Sequence, residues 1–403
     1  MRKWLVIISL LLCSWSMAAQ TDSVRLGYSL RGRVVDAVSG QALESVYVST
    51  PGKHHATVTN ADGSFTLKSD SPIVQIEFTH LGYKKLSRPA AENMKIALQR
   101  ESLSLAEASI ISGDPLEIVK TALGRRQETF CTEAELLECF YRETIRKRNR
   151  YIYVAEAVAR LFKSPFNGTV YDDAAALEKS RVLVSQRRHD TLSVVTLGGP
   201  TLAIQNDILK NNSFLFNIED MELYSFHMEL PAYIGDRLQF VVRMEPAQEA
   251  DYALFHCTLY IDRELLTFTR IEAFLDMSDP GKATKSILIS KPIGLRFFPE
   301  ETSMILNYSL KEGKSRLEYF RSTIRFACDW RRRLFKTRYT AVNELVVTDV
   351  RPEPIRISRK DRFNPKDCLS QKAPEFLDPD FWKDYNIIEA SESLEHAIGR
   401  LRK

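Results

Sequence analysis

From Leu30 to Val350 apolar and polar side chains alternate over short runs, with turn residues between the runs. Period-two alternation puts successive side chains on opposite faces and predicts strands. Near the start the predicted strands are 30–36, 44–50, the two short arms on either side of Asp62-Gly63, 73–83 and 94–99. In 73–83 the residues Val74, Ile76 and Phe78 alternate with Ile73, Gln75 and Glu77. Pro51-Gly52 and the loop around Gly40 supply turns. Strands at this spacing predict a β-sandwich over residues 26–99.

Residues 100–139 read as a connector. Asp114 is placed as a helix N-cap, with Pro115 at the first helical position and Glu117 completing a capping box. Leu116, Val119, Ala122 and Leu123 share a face, and a helix is predicted over 115–128. Strand patterns then dominate 140–350, many rich in Tyr, Phe, Val and Thr, which suit a half-buried pleated surface. They predict a large curved antiparallel sheet. Within it 172–178 and 203–210 read as short helices and 285–291 as a strand. Residues 351–403 are rich in proline and charge and predict an extended tail. Phe381, Trp382 and Tyr385 are expected to be buried there, ahead of a terminal helix with Leu394, Ala397, Ile398 and Leu401 on one face. The fold class expected is mainly β: a sandwich, then a large curved antiparallel sheet with a few short helices.

The first twenty residues read as a signal peptide. Arg2 and Lys3 precede an apolar run from 4 to 15, and Ser16-Met17-Ala18 offers a cleavage site after Ala18, with Gln20 as the alternative. Acylation at Cys13 is the competing reading, but Leu12 stands where a small residue is wanted. Export places the protein in the periplasm or at the outer membrane. The 56 basic residues nearly balance the 52 acids, so no field for nucleic acid arises and that partner is not expected. Beyond Cys13 stand Cys131, Cys139, Cys257, Cys328 and Cys368, an odd number at scattered spacings and no disulfide framework. Cys131 and Cys139 could bridge a loop or be separate small apolar residues.

Several stretches carry a family resemblance. G-R-V-V-D at 32–36, S-G-Q-A-L-E-S-V-Y-V at 39–48, T-N-A-D-G-S-F-T-L at 59–67 and F-T-H-L-G-Y at 78–83 resemble the carboxypeptidase-regulatory-like domain. The resemblance implies a prealbumin-like sandwich, a type that occurs in envelope proteins and has no activity of its own. C-F-Y-R-E-T at 139–144, L-G-G-P at 197–200 with N-D-I-L-K at 206–210, and F-W-K-D-Y-N-I-I at 381–388 resemble an uncharacterised envelope family. In that family the same sandwich precedes a long β-rich body. The predicted hairpin 257–276 is similar to one hairpin of the half-barrels of periplasmic lipoprotein carriers and envelope-stress sensors, which implies a concave face able to take acyl chains.

Catalytic signatures are absent. No His is followed by Glu three residues on, and His227-Met228-Glu229 falls one short. H-E-x-x-H, G-x-S-x-G, S-x-x-K and the P-loop do not occur. His54-His55 has no third ligand nearby, and His256 and Cys257, adjacent on a strand, point apart. No catalytic residue, metal ligand or cofactor is therefore assigned. Basic runs offer a candidate patch for anionic lipid or glycan at Arg146, Arg148, Arg150, Tyr151, Arg331, Arg333 and Tyr339, set against the plainer reading of solvated hairpin ends. Asp62-Gly63 does not fit a calcium loop, because with Gly63 at the sixth loop position the first would be Val58, which is not an acid. It reads as a tight turn with positive φ at Gly63, joining two arms of a hairpin that carry Val58 and Phe65.

The sequence thus points to a non-catalytic envelope protein that binds or scaffolds through a sandwich and a sheet. An envelope protein, a lipid or a glycan is the expected partner, and peripheral membrane association is compatible with it. Two alternatives stand beside it: a lipid or glycan carrier, and a hydrolase whose site joins distant residues such as His189, His227 and His256.

Overall fold

A computed structural model describes residues 27–53, 55–102, 113–187, 190, 196–211, 218–330, 335–351, 355–372 and 382–401. The leader, His54, His189, Arg331, Arg333 and Phe381 lie outside the described residues. The protein is mainly β, as its patterning predicts.

Seven strands build the sandwich: β1 (Tyr28–Asp36), β2 (Tyr47–Ser49), β3 (Ala56–Val58), β4 (Ser64–Ser69), β5 (Gln75–Thr79), β6 (Leu86–Pro89) and β7 (Met94–Leu98). One sheet has the order β4-β1-β7 and the other β3-β2-β5-β6. Val34, Val48, Phe65, Leu67, Ile76 and Phe78 fill the space between them. Phe65 and Phe78 meet edge to face at 5.6 Å.

The Asp62-Gly63 turn is built on Asn60. Its side-chain oxygen accepts from the Asp62 and Ser64 amides at 2.9 and 3.0 Å. Gly63 has φ 75°, as expected, and a Cβ there would lie 2.3 Å from the Val34 carbonyl oxygen. The hairpin expectation needs correction. β3 pairs with β2 and β4 with β1, so the turn carries the chain from one sheet to the other. Phe65 enters the sandwich core, whereas Val58 faces outward, against the large sheet.

The large sheet holds eleven strands: β8 (Glu135–Lys147), β9 (Arg150–Lys163), β10 (Ala174–Val184), β11 (Tyr224–Met228), β12 (Ala232–Ile234), β13 (Arg237–Pro246), β14 (Phe255–Asp262), β15 (Phe268–Leu275), β16 (Leu295–Lys311), β17 (Lys314–Trp330) and β18 (Thr337–Arg351). All pairs are antiparallel, in the order β10-β9-β8-β18-β17-β16-β15-β14-β13-β11, with β12 also on β13. Among the described residues five α-helices accompany it: α1 (Pro115–Gly124), α2 (Arg126–Thr129), α3 (Leu202–Gln205), α4 (Pro280–Ile287) and α5 (Glu392–Leu401).

Strand alternation gives the sheet two unlike faces. On one, Leu137, Tyr141, Leu161, Leu306 and Phe320 pack with Leu123 of α1. On the other, Phe140, Val158, Tyr319 and Val346 meet Tyr47 and Val58 of the sandwich, with Trp382 and Ile388 of the tail in the same cluster. The tail also hydrogen-bonds to both neighbours. Asn386 exchanges two bonds with the Lys68 backbone, at 2.7 and 2.9 Å. Asn60 donates to the Ala390 carbonyl at 3.1 Å, and Asp62 accepts from the Glu392 amide at 2.7 Å. On the sheet side Arg142 donates to the Ile388 carbonyl at 2.5 Å.

Three local expectations fail. The helix over 115–128 is two helices, because the chain leaves α1 at Gly124 and restarts after Arg125. The helix over 172–178 is a single turn, Val170–Asp172, followed by β10, whose alanines pair along β9 from Ala174 opposite Phe162. Sheet pairing overrides the helix preference of alanine there. The strand over 285–291 gives way to α4, whose Asp279 cap accepts from the Gly281 and Lys282 amides at 2.7 and 3.0 Å. The Asp279-Pro280 start signal outweighs the apolar run after it.

Gly63→Val tests the turn. A β-branched residue cannot hold φ 75° without strain, and its Cβ would strike the Val34 carbonyl. Chemical denaturation should show a loss of about 1 kcal/mol or more; an unchanged midpoint would contradict the assignment.

Candidate ligand-binding site

The α1–α2 segment lies on the inner face of the sheet. Asp114 caps α1 by accepting from the Leu116 amide at 2.9 Å, while Glu117 pairs with Lys120 at 3.0 Å instead of closing a capping box. Val119, Ala122 and Leu123 bury into the sheet. At the break between α1 and α2, Arg126 donates to the Leu123 and Leu209 carbonyls at 2.8 and 2.7 Å. Its guanidinium lies 5.8 Å from the centre of the Phe166 ring. Phe166 sits just past β9, where its amide donates to the Cys131 carbonyl at 3.1 Å. Phe130 stacks beside it at 5.3 Å.

Between these parts is a cavity of about 600 Å³. Leu123, Phe166 and Met221 give it apolar walls, Lys120, Arg126 and Lys210 supply cations, and no Asp or Glu is found among its described lining residues. Burial lowers the pKa of Arg126, so an anion placed there would offset a desolvation cost the protein already bears.

A crevice of about 40 Å³, room for a few waters, adjoins it and shares Phe166 and Lys210. Its floor is an ionic lattice. Lys163 reaches Asp173 at 3.0 Å and Asp207 at 2.7 Å, Lys210 reaches Asp173 at 2.6 Å, and the Tyr308 hydroxyl donates to Asp207 at 2.9 Å. Burial works against charge on Lys163, but Asp207 and Asp173 outweigh it and push its pKa up. For Lys210, burial and the Lys163 charge prevail and the pKa falls below the usual ammonium range. The lattice ties Ser164 and the segment at Lys210 to β9, since Lys210 also donates to the Ser164 carbonyl at 2.8 Å. It fixes two walls of the cavity.

The residues singled out from sequence lie elsewhere. Arg146, Arg148, Arg150 and Tyr151 gather at the β8–β9 turn, the opposite end of β8 from the crevice residue Glu135. Arg146 sits over the Tyr151 ring at 5.6 Å. Arg150 and Lys147 reach the buried Asp190 at 2.6 and 3.2 Å. Tyr339 pairs opposite Lys147, but it is only 5% exposed and stacks on Phe326 at 5.5 Å. It is a core residue and presents no ring to a partner. Arg142, from the same basic run, is buried against Glu156. His227 and His256 are exposed on β11 and β14, and Cys257 is buried on the face opposite His256. Cys131 and Cys139 are both free thiols. Among the described residues no three His, Cys, Asp or Glu side chains group to hold a metal ion.

One more perturbed acid, Glu143, lies on the inner face of β8. Its carboxylate accepts from the Tyr141 hydroxyl at 2.9 Å and from the Tyr153 hydroxyl. Burial raises its pKa from 4.5 to about 7, against the opposing effect of the two hydroxyls. It lines neither cavity, so its effect is on stability. Below about pH 4.5 both folded and unfolded chains hold the proton. As pH rises toward 7 the unfolded chain loses it first, so stability falls, and the full loss of about 3 kcal/mol is reached above 7. Glu143→Gln keeps a neutral acceptor and should lack this decline. Denaturation of both proteins from about pH 4 to pH 8 measures the difference; parallel curves would contradict it.

Residues 30–110 match the CarboxypepD_reg-like domain. No curated protein matches the chain. Among solved structures, the chain is similar to a domain from Vibrio parahaemolyticus provisionally described as an outer membrane lipoprotein-sorting protein domain. The identity is 12%, the coverage 62% of this chain and 97% of that one, and the TM-score 0.27. It is similar to a LolA superfamily protein from Nitrosomonas europaea at 10% identity, 62% and 100% coverage and a TM-score of 0.20. A membrane-associated protein of unknown function from Bacteroides fragilis, also provisionally described, matches at 9% identity, 80% and 98% coverage and a TM-score of 0.14. Likeness at this level assigns no function to the chain. The strings at 32–83 and the family match agree on one point: residues 30–110 are a CarboxypepD_reg-like domain.

Proposed function

We propose that the protein is a non-catalytic binding protein of the cell envelope that holds an anionic amphiphile in the cavity beside α1. The cavity carries the reading. Its volume of about 600 Å³ falls in the range of small-molecule sites. Apolar walls suit a hydrocarbon chain, at roughly 0.8 kcal/mol for each methylene buried. The cations at Lys120 and Arg126 suit a carboxylate or phosphate headgroup. The envelope setting is supported by the leader pattern and by the kind of protein in which this sandwich domain occurs.

The ionic lattice beside the cavity supports a holding role rather than a reacting one. Lys163 pairs with both Asp173 and Asp207, and Lys210 with Asp173. A rigid wall follows from such pairing, whereas a nucleophile or base needs a free face toward substrate.

Titration of the purified protein with a dansyl-labelled fatty acid should give saturable binding. Lys120→Glu, at an exposed position, should weaken the acid by about tenfold, or 1.4 kcal/mol, and leave the matching fatty alcohol nearly unchanged. No binding, or equal loss for acid and alcohol, would overturn the reading. Peptide hydrolysis by the purified protein, abolished by a chelator, would overturn its non-catalytic part.

A further inference from the structure

Large apolar side chains stand open at the end of the sheet remote from the cavity. Ile289 and Ile293, in the loop between α4 and β16, are 83% and 103% exposed, and Phe335, just before β18, is 75% exposed. The three belong to one end of the sheet. Leu295, two residues past Ile293, pairs with Trp330 at the end of β17. Lys336, next to Phe335, has its ammonium 3.6 Å from the centre of the Phe298 ring. β16 and β17 then run 17 residues each, roughly 50 Å of strand, to the turn beside the crevice residue Ser315.

The loop holds these side chains outward by its own geometry. Gly294 takes φ 84°, and the Lys291 ammonium donates to the Leu295 carbonyl at 3.0 Å, folding the loop back onto the start of β16. Ile289 and Ile293 flank Lys291 on the outside. The loop itself carries charge of one sign. Residues 282–296 contain Lys282, Lys285, Lys291 and Arg296 and no acid. Lys336 adds another cation beside Phe335. Acids lie at its margins: Asp279 at the start of α4, which interacts with Lys282 and Lys285, Asp329 opposite Arg296, and Glu300, which Arg338 holds at 2.8 Å.

We infer that this end of the sheet is a docking surface for an anionic lipid bilayer. Protruding aliphatic and aromatic tips enter the interfacial layer, where they leave water without needing a fitted pocket. Lysine and arginine around them stay at the headgroups, their stems covering apolar surface while the charges meet lipid phosphate. The ring of positive charge singles out this occupant, because an apolar partner surface would leave those cations uncompensated. Docking here leaves the cavity at the far end of the strands in solvent. The surface is independent of the cavity reading, and either can fail alone.

Flotation of the purified protein with phosphatidylcholine vesicles, with and without phosphatidylglycerol, tests the inference. The protein should float with the anionic vesicles and be released by salt. The combined change Ile289→Ser, Ile293→Ser and Phe335→Ser replaces only exposed side chains, so its melting curve should match the parent. Its bound fraction should fall about tenfold, and Lys291→Glu with Lys336→Glu should lower it similarly. Equal binding to neutral and anionic vesicles would overturn the inference, as would no vesicle binding at all. So would undiminished binding by the triple variant, or its conversion of a dimer to a monomer, which would give the surface to a second copy of the chain.

Discussion

Glu156 lies where the sandwich, the sheet and the tail meet, and their arrangement depends on its charge. It is 1% exposed and accepts from Arg142 at 2.8 Å, Arg181 at 2.8 Å and the Trp382 indole at 3.1 Å. Burial opposes its ionisation, but the two guanidiniums outweigh burial and hold its pKa below the usual carboxylate range. Arg181 in turn lies over the Trp382 ring at 4.9 Å, and Trp382 meets Phe140 edge to face. A buried charge group of this kind is stable only when complete, since removing one partner typically costs about 3–5 kcal/mol. Its completeness requires the tail to be in place, and the tail in place completes the hydrogen bonds of Asn60, Asp62 and Lys68 in the sandwich.

That arrangement divides the labour of the sheet. One face is covered over β8, β9, β17 and β18 by the sandwich and the tail. The other carries α1 and α2, and near the start of β8 it is left with a cavity that the core does not fill. None of the described residues that line that cavity belongs to the sandwich. The Asn60-Ala61-Asp62-Gly63 turn, which has the look of a site in sequence, serves as a bracket for the tail. Holding a ligand at one end of a rigid sheet and meeting a membrane at the other are compatible demands, because the long strands β16 and β17 keep the two ends apart.

Much of the fold was legible because strand alternation repeats over many residues. The sandwich, the long strands β8, β9 and β13 to β18, the positive φ at Gly63 and the burial of Trp382 all follow from local pattern or turn chemistry. Where local signals conflict, as at the three alanines that begin β10 or the apolar run after Asp279, sequence alone favours the wrong element. The site was hardly legible. Lys120, Arg126, Phe166, Lys210 and Met221 come from separate segments, and no periodicity or motif links them. Only the apolar face of α1 hinted that its neighbourhood mattered. Tyr339, an aromatic residue that drew notice, and Arg142 nearby are drawn into packing because both faces of the long strands are covered there.

Hydrogen exchange of the intact protein with and without a saturating long-chain fatty acid tests the location of the ligand most directly. Slower exchange should appear in 115–131, in 164–168 and around Lys210, with the sandwich unchanged. Protection confined to the sandwich, or none in those segments at saturation, would contradict the assignment of the cavity as the holding site.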